Sequence, residues 1–138
     1  MVERLVAPPE SVITIPGGLP GLPAMEQAVL VEPEDLAPIL LLQSLRDQAL
    51  SLPVIPAHCV VADYSPALSP EDRRALGLQD GEEDPALLKL VVLVLDSQEG
   101  AAACNLFAPI VIHPDRRVGR QCLQLDSDYP SLFRLDAE

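Results

Sequence analysis

Short apolar runs separated by proline dominate this 138-residue chain. VITI at 12–15 is β-branched throughout and stops at Pro16. Residues 27–32 and 39–44 form two further runs, and the prolines at 33 and 38 between them oppose a helix. Residues 52–55 carry Pro53 and are followed by Pro56, which predicts an edge strand or a bent one. Residues 87–95 are apolar except for Lys89, the pattern of a central strand covered on both faces. Residues 101–107, 109–112 and 118–125 complete the strand set.

One helix is signalled, in SPEDRRALG. Ser69 suits the N-cap, Pro70 the first helical position, and Glu71 and Asp72 the positive end of the dipole. Gly77 stops it, and Leu76 and Ala75 are expected to face inward. In PGGLPGLP, residues 16–23, glycines permit positive φ and prolines stiffen the chain. A phosphate cradle needs a following helix start and usually a Lys, so this reads as a shaped loop. No repeat or long linker divides the sequence. About seven or eight short strands and one helix predict a mainly β fold. The expected architecture is a small antiparallel barrel-like domain, or a strongly bent sheet, spanning residues 1–138.

Composition sharpens this picture. Apolar residues make up 49% of the chain, aromatics 3%, and there is no Trp, so the core must be aliphatic. The 15 prolines are about twice the average usage of ~5%. A formal net charge of −12 repels phosphates, which argues against direct binding of nucleic acid. It would attract a basic partner, or simply solvate the surface. No apolar run approaches the ~20 residues of a membrane helix, and MVERLVAPPE lacks the apolar segment of a signal peptide. Three Cys without C-x-x-C spacing argue against a disulfide framework. A cytoplasmic protein with reduced thiols and no membrane association is expected.

The stretch CNLFAPIVIHPDRRVGRQCLQL, residues 104–125, gathers the candidate chemistry. A thiol-dependent hydrolase would use Cys104 or Cys122 with His113 as base. His58 and Cys59 are adjacent, which in a strand points them to opposite faces. A zinc site from Cys59, Cys104, Cys122 and His113 lacks the paired ligand spacing. QDGEEDP at 79–85 lacks the alternating ligands and terminal Glu of a calcium loop, so its acidic residues 80–84 read as a solvated turn able to contribute steering. Neither catalysis nor a cofactor is expected. As architecture, residues 110–112 and 118–125 flank a turn at 113–117. Gly119, Gln121, Leu123 and Leu125 share one face; Val118, Arg120, Cys122 and Gln124 share the other. Gln121 is then either a buried amide with partners or part of a wetted site. Asn105 either closes a loop by bonding backbone groups or contacts a partner.

GGLPGL at 17–22, LQS at 42–44, DY at 63–64, NLFAPIVI at 105–112, GRQCLQL at 119–125 and Tyr129 occur in the order of the flagellar assembly factor FliW family, which the chain resembles over nearly its whole length. The sequence departs from the family where Phe-Glu is replaced by Leu22 and Pro23, where aromatics are replaced by Ile39, Leu40 and Leu41, and where Asn is replaced by His113. Aromatic anchors often supply binding energy, so these departures bear on partners more than on fold. The resemblance implies a non-catalytic, barrel-like protein that acts by changing partners. FliW-like proteins bind flagellin in the cytoplasm, and bind CsrA, the translational repressor that silences flagellin mRNA. The matching motif positions mark Gln43, Ser44, Asn105, Pro109, Gln121 and Tyr129 as the expected partner-binding residues. A flagellin chaperone without CsrA activity is the alternative that the lost aromatics permit.

Overall fold

Strands begin and end where the prolines and glycines put them. The structure, a computed structural model, describes residues 11–79, 86–96 and 101–135, with backbone alone at 95, 96 and 101. The acidic residues 80–84 lie outside the described residues. Among those described, the strands are β1 (Ile13–Thr14), β2 (Gln27–Val31), β3 (Leu40–Ser44), β4 (Ser51–Pro56), β5 (Leu88–Asp96), β6 (Ala101–Cys104), β7 (Ile110–His113), β8 (Val118–Gln121) and β9 (Phe133–Arg134). The helix α1 covers Pro70–Ala75. Strands β1 to β5, then β7 and β8, pair in a ring, and β8 returns to β1. The result is a closed seven-stranded barrel, mainly β as the apolar pattern predicts. β6 and β9 extend the sheet outward from the second half of β5. Every pairing is antiparallel except the closing one, where β1 meets β8 in parallel through Thr14 and Val118 alone. No helix among the described residues is long and apolar enough to cross a membrane.

The edge position expected for residues 52–55 is not found. β4 is an interior strand, paired with β3 at residues 51–54 and with β5 at residues 54–56. Pro53 is tolerated because Ser44 N–H donates to Leu50 O (3.0 Å), which makes the pairs at every second residue the bonded ones and leaves Leu41–Pro53 unbonded. The β5 pairing begins one residue later, at Val54, so Pro53 stands at the margin of that ladder, where a proline is tolerated.

Aliphatic side chains fill the barrel, among them Ile13, Ile15, Met25, Leu42, Leu90 and Ile110. Alternate residues of β5 point outward, and Val91 and Leu93 join Tyr64, Cys104 and Leu106 in a second core. β5 is thus covered on both faces, as its unbroken apolar run requires. The helix closes a third cluster, Leu76 against Val111 and Cys122. It starts with a capping box: Asp72 N–H donates to Ser69 Oγ (3.0 Å) and Ser69 N–H to Asp72 Oδ2 (3.2 Å). The other Asp72 oxygen accepts from Arg120 Nε at 2.6 Å, fastening the helix to β8. Asp72 is therefore buried.

β6 and β7 are one strand interrupted. Cys104 pairs with Leu93 and Ile110 with Leu90, so residues 105–109 stand opposite Val91 and Val92 only. The surplus residues loop out, and the strand passes from the outer flap into the barrel. Each backbone group of the loop that faces inward has a partner. Asn105 N–H donates to Val92 O (3.0 Å) and Leu106 N–H to Pro130 O (3.0 Å). The N–H groups of Phe107 and Ala108 both donate to Asn105 Oδ1, at 3.0 and 3.1 Å. The carbonyls of Leu106, Phe107, Ala108 and Pro109 accept from Tyr64 Oη, Gln124 N, Gln121 Nε2 and Cys122 N. Asn105→Ala should strand two donors and cost about 2–4 kcal/mol in urea denaturation, whereas Asn105→Asp, which keeps the acceptor, should cost less than about 1 kcal/mol.

Candidate functional site

The barrel is thinnest where β1 meets β8, and a groove opens there. Pro16 ends β1. Gly17, Gly18 and Gly21 then take φ of 76°, 76° and 78°, turning the chain back on itself. Gly18 N–H donates to Ile15 O (2.7 Å), and Leu19 and Leu22 bond each other at 3.2 and 2.7 Å. A Cβ on Gly18 would stand 2.5 Å from Leu22 O, so the loop admits no side chain there. The shaped loop read from PGGLPGLP forms one wall of the groove. The start of α1 forms the other wall, β8 lies between them, and the space is about 640 Å³, open along one side.

The free edge of β8 faces this space. Cys122 N–H donates to Pro109 O (2.9 Å) and Gln124 N–H to Phe107 O (2.8 Å), so the even-numbered residues bond toward β7. The backbone groups of Gln121 and Leu123 point to the seam, where no strand among the described residues pairs with them. Strand β8 itself ends at Gln121, short of the expected 125. Beyond it the alternation persists but its sense is inverted: Cys122 and Gln124 are buried, while Leu123 is 49% and Leu125 74% exposed.

The expected partner-binding residues fall into two places. Asn105, Pro109 and Gln121 meet at the loop 105–109. Tyr129 borders the same loop, its ring 4.6 Å from that of Tyr64, whose hydroxyl donates to Leu106 O at 2.6 Å. The Tyr129 hydroxyl accepts from Ser65 N–H at 3.1 Å. Burial raises the Tyr64 hydroxyl's pKa, with the neighbouring Tyr129 adding to it. Gln43 and Ser44 stand apart, at the β3–β4 hairpin. Ser44 Oγ donates to Ala24 O (2.6 Å) and accepts from the N–H groups of Arg46 and Asp47. Gln43 Nε2 donates to Ser44 O (2.9 Å) and Leu50 O (3.1 Å). Gln121 alone of the six also lines the groove.

Sequence reasoning missed Gln124, which is buried and clasps Ala67 by both ends of its amide, at 2.7 and 2.9 Å. Its place beside Arg120 and Cys122 on one strand face was the available signal. The Asp72–Arg120 pair was also missed, since nothing local links residues so far apart. Arg120's pKa is raised, chiefly by its hydrogen bond to Asp72.

The thiols are poorly placed for catalysis. Burial pushes Cys104 up to about 11 and Cys122 up to about 12, so neither is a thiolate near neutral pH. His113 Nδ1 accepts from Arg116 N–H at 3.2 Å, occupied in shaping the hairpin turn. Cys122 lies opposite Pro109, four ladder steps from His113, roughly 14 Å along the strand. Cys104 pairs with Leu93 and Ile112 with Leu88, which separates Cys104 from His113 by a longer distance still. In the zinc reading too, the register holds His113 away from Cys104 and Cys122.

Known proteins share this fold. The family described as FliW protein matches residues 2–135 of the chain. The flagellar assembly factor FliW of Thermotoga maritima is 34% identical over 130 residues, covering 94% of this chain and 85% of that protein. Its counterpart in Natranaerobius thermophilus is 32% identical over 120 residues, covering 87% and 78%. A crystal structure of the flagellar assembly factor FliW superposes with a TM-score of 0.84 at 27% identity, over 97% of this chain and 92% of that one. A match running through strands, looped-out segment and seam alike means that the chain belongs to the FliW family.

Proposed function

We propose that residues 1–138 act as one domain, a non-catalytic cytoplasmic flagellar assembly factor that exchanges two protein partners. One is CsrA, whose capture relieves repression of flagellin mRNA; the other is flagellin itself. The observation that carries this reading is the likeness to flagellar assembly factors over nearly the entire chain. The net charge of −12 supports it: an acidic body docked on an RNA-binding protein disfavours phosphate nearby. Gln121, at the groove, and Tyr129, half-buried, are within a partner's reach. Ser44 and Pro109 are buried, and Asn105 is committed to its own loop, so these act on a partner through the shape they hold. Gln43, half-buried, belongs to the hairpin that Ser44 ties.

A dedicated flagellin chaperone without CsrA activity is the second reading, favoured by the aliphatic residues at Leu22, Ile39, Leu40 and Leu41 where aromatic anchors are expected. Calorimetric titration with CsrA of the same organism, alone and with flagellin already bound, separates the two. The partner-exchange reading expects saturable binding to CsrA that flagellin weakens at least roughly tenfold. Binding to flagellin only would establish the chaperone, and binding to neither would sink both readings.

The hydrolase alternative has its own check. In the native protein Ellman's reagent at pH 8 should react quickly with Cys59 alone, and with all three thiols after denaturation. A fast native reaction at Cys104 or Cys122 would revive the enzyme. Both buried thiols hold their protons more tightly folded than unfolded, so their contribution to stability is complete below pH 9 and is lost as pH rises toward 11 and 12.

A further inference from the structure

We propose that the groove along β8 is a strand-addition site, taking an extended segment of a protein partner in which aliphatic and basic side chains alternate. This rests on reading the chain as a partner-binding factor, and adds how one partner is held.

The edge itself is the first reason. The backbone groups of Gln121 and Leu123 are aimed into the groove with no strand among the described residues to meet them. Exposed edges are ordinarily blunted by a Lys, a Pro or a bulge that points the strand away. Here the positions next to it are Leu123 and Leu125, both apolar and exposed. An added strand would take up the unpaired main-chain groups and cover these leucines together.

The walls are the second. The loop at 16–23 is closed by its own hydrogen bonds, and α1 is held by its capping box and by Arg120. The groove therefore exists before anything enters it, which lowers the ordering cost of binding.

Charge selects the occupant. Within the lining Asp72 pairs with Arg120, which Glu71 also faces electrostatically, so two carboxylates stand against one guanidinium and the groove is left net negative. Arg73 and Arg74 do not line the groove, and Arg116 packs over Gly77 at the other end of the helix. A second copy of the chain would bring another −12, and a nucleic acid would bring phosphates; both are repelled. An extended segment alternates its side chains between two faces. Aliphatic groups then rest on the leucines while basic ones reach Glu71.

The test uses three fluorescein-labelled octapeptides, Val-Lys alternating, Val-Glu alternating and Val-Lys with N-methyl groups on one edge, titrated by fluorescence anisotropy. The first should bind saturably, and the other two at least roughly tenfold more weakly. Leu123→Pro removes an N–H that points only into the groove, and Glu71→Lys reverses the groove's excess charge. Each should weaken the Val-Lys peptide roughly tenfold, while melting curves show the fold retained. Glu34→Gln, on the exposed turn before β3 and outside the groove lining, should change nothing. Amide exchange of the intact protein should show new protection at Gln121 and Leu123 when the peptide is bound. No binding of the Val-Lys peptide, equal binding of the Val-Glu peptide, or protection elsewhere would overturn the proposal. So would a dimer in sedimentation that Leu123→Pro dissolves, since the occupant would then be a second copy. Parallel titrations with whole CsrA and flagellin keep the two readings apart: if they bind while the edge stays unprotected in both complexes, the groove proposal fails and the proposed function stands.

Discussion

Five residues that do not fit their own ladder organise this protein. The chain from Ala101 to His113 must serve both the outer flap and the barrel, and the looped segment 105–109 between β6 and β7 lets it do so. Looping out exposes backbone groups that sheet pairing would have satisfied, in a place too buried for water to replace it. The molecule answers from all sides: Asn105 from within, Gln121 and Gln124 from the next strand, Tyr64 from the segment before the helix, Pro130 from the end of the chain. Distant parts of the sequence are thereby tied to one point. That explains why polar residues stand in an otherwise apolar region.

Order and opportunity are divided accordingly. Around the looped segment nearly every group has a partner, and the aliphatic core beneath has no aromatic bulk to lose. At the seam the ring closes through a single parallel pair, because Pro16 and the glycines behind it turn β1 away. A barrel abolishes its edges only as far as it closes. This one keeps a short edge, and the rigid hub beside it fixes where that edge points.

Much of the fold was legible because its signals are local. β-branched runs and proline punctuation located most strands, and Ser69, Pro70 and Gly77 bounded the helix. What escaped depends on closure. The parallel seam at Thr14 and Val118 has no local mark, and β9 at Phe133 and Arg134 is too short to show a period. Pro53 suggested an edge because its pairing phase cannot be read before the register is known. Asp72 looked like a surface charge serving the helix dipole; its burial follows from Arg120, far along the chain. The apolar setting of Asn105 pointed to loop closure with partner contact as the alternative, whereas the exposure of Leu123 and Leu125 ran against their hydropathy.

The paired tyrosines have a spectroscopic consequence. The chain has two Tyr and no Trp, and both rings stand together, 4.6 Å apart, on the second core. Tyrosine emission from this protein therefore originates at one point, outside the barrel lumen and away from the seam. It registers the clasp between the segment before the helix and the end of the chain, and nothing of the barrel's interior. The barrel could loosen optically unseen while that clasp held, so its melting has to be followed through the backbone.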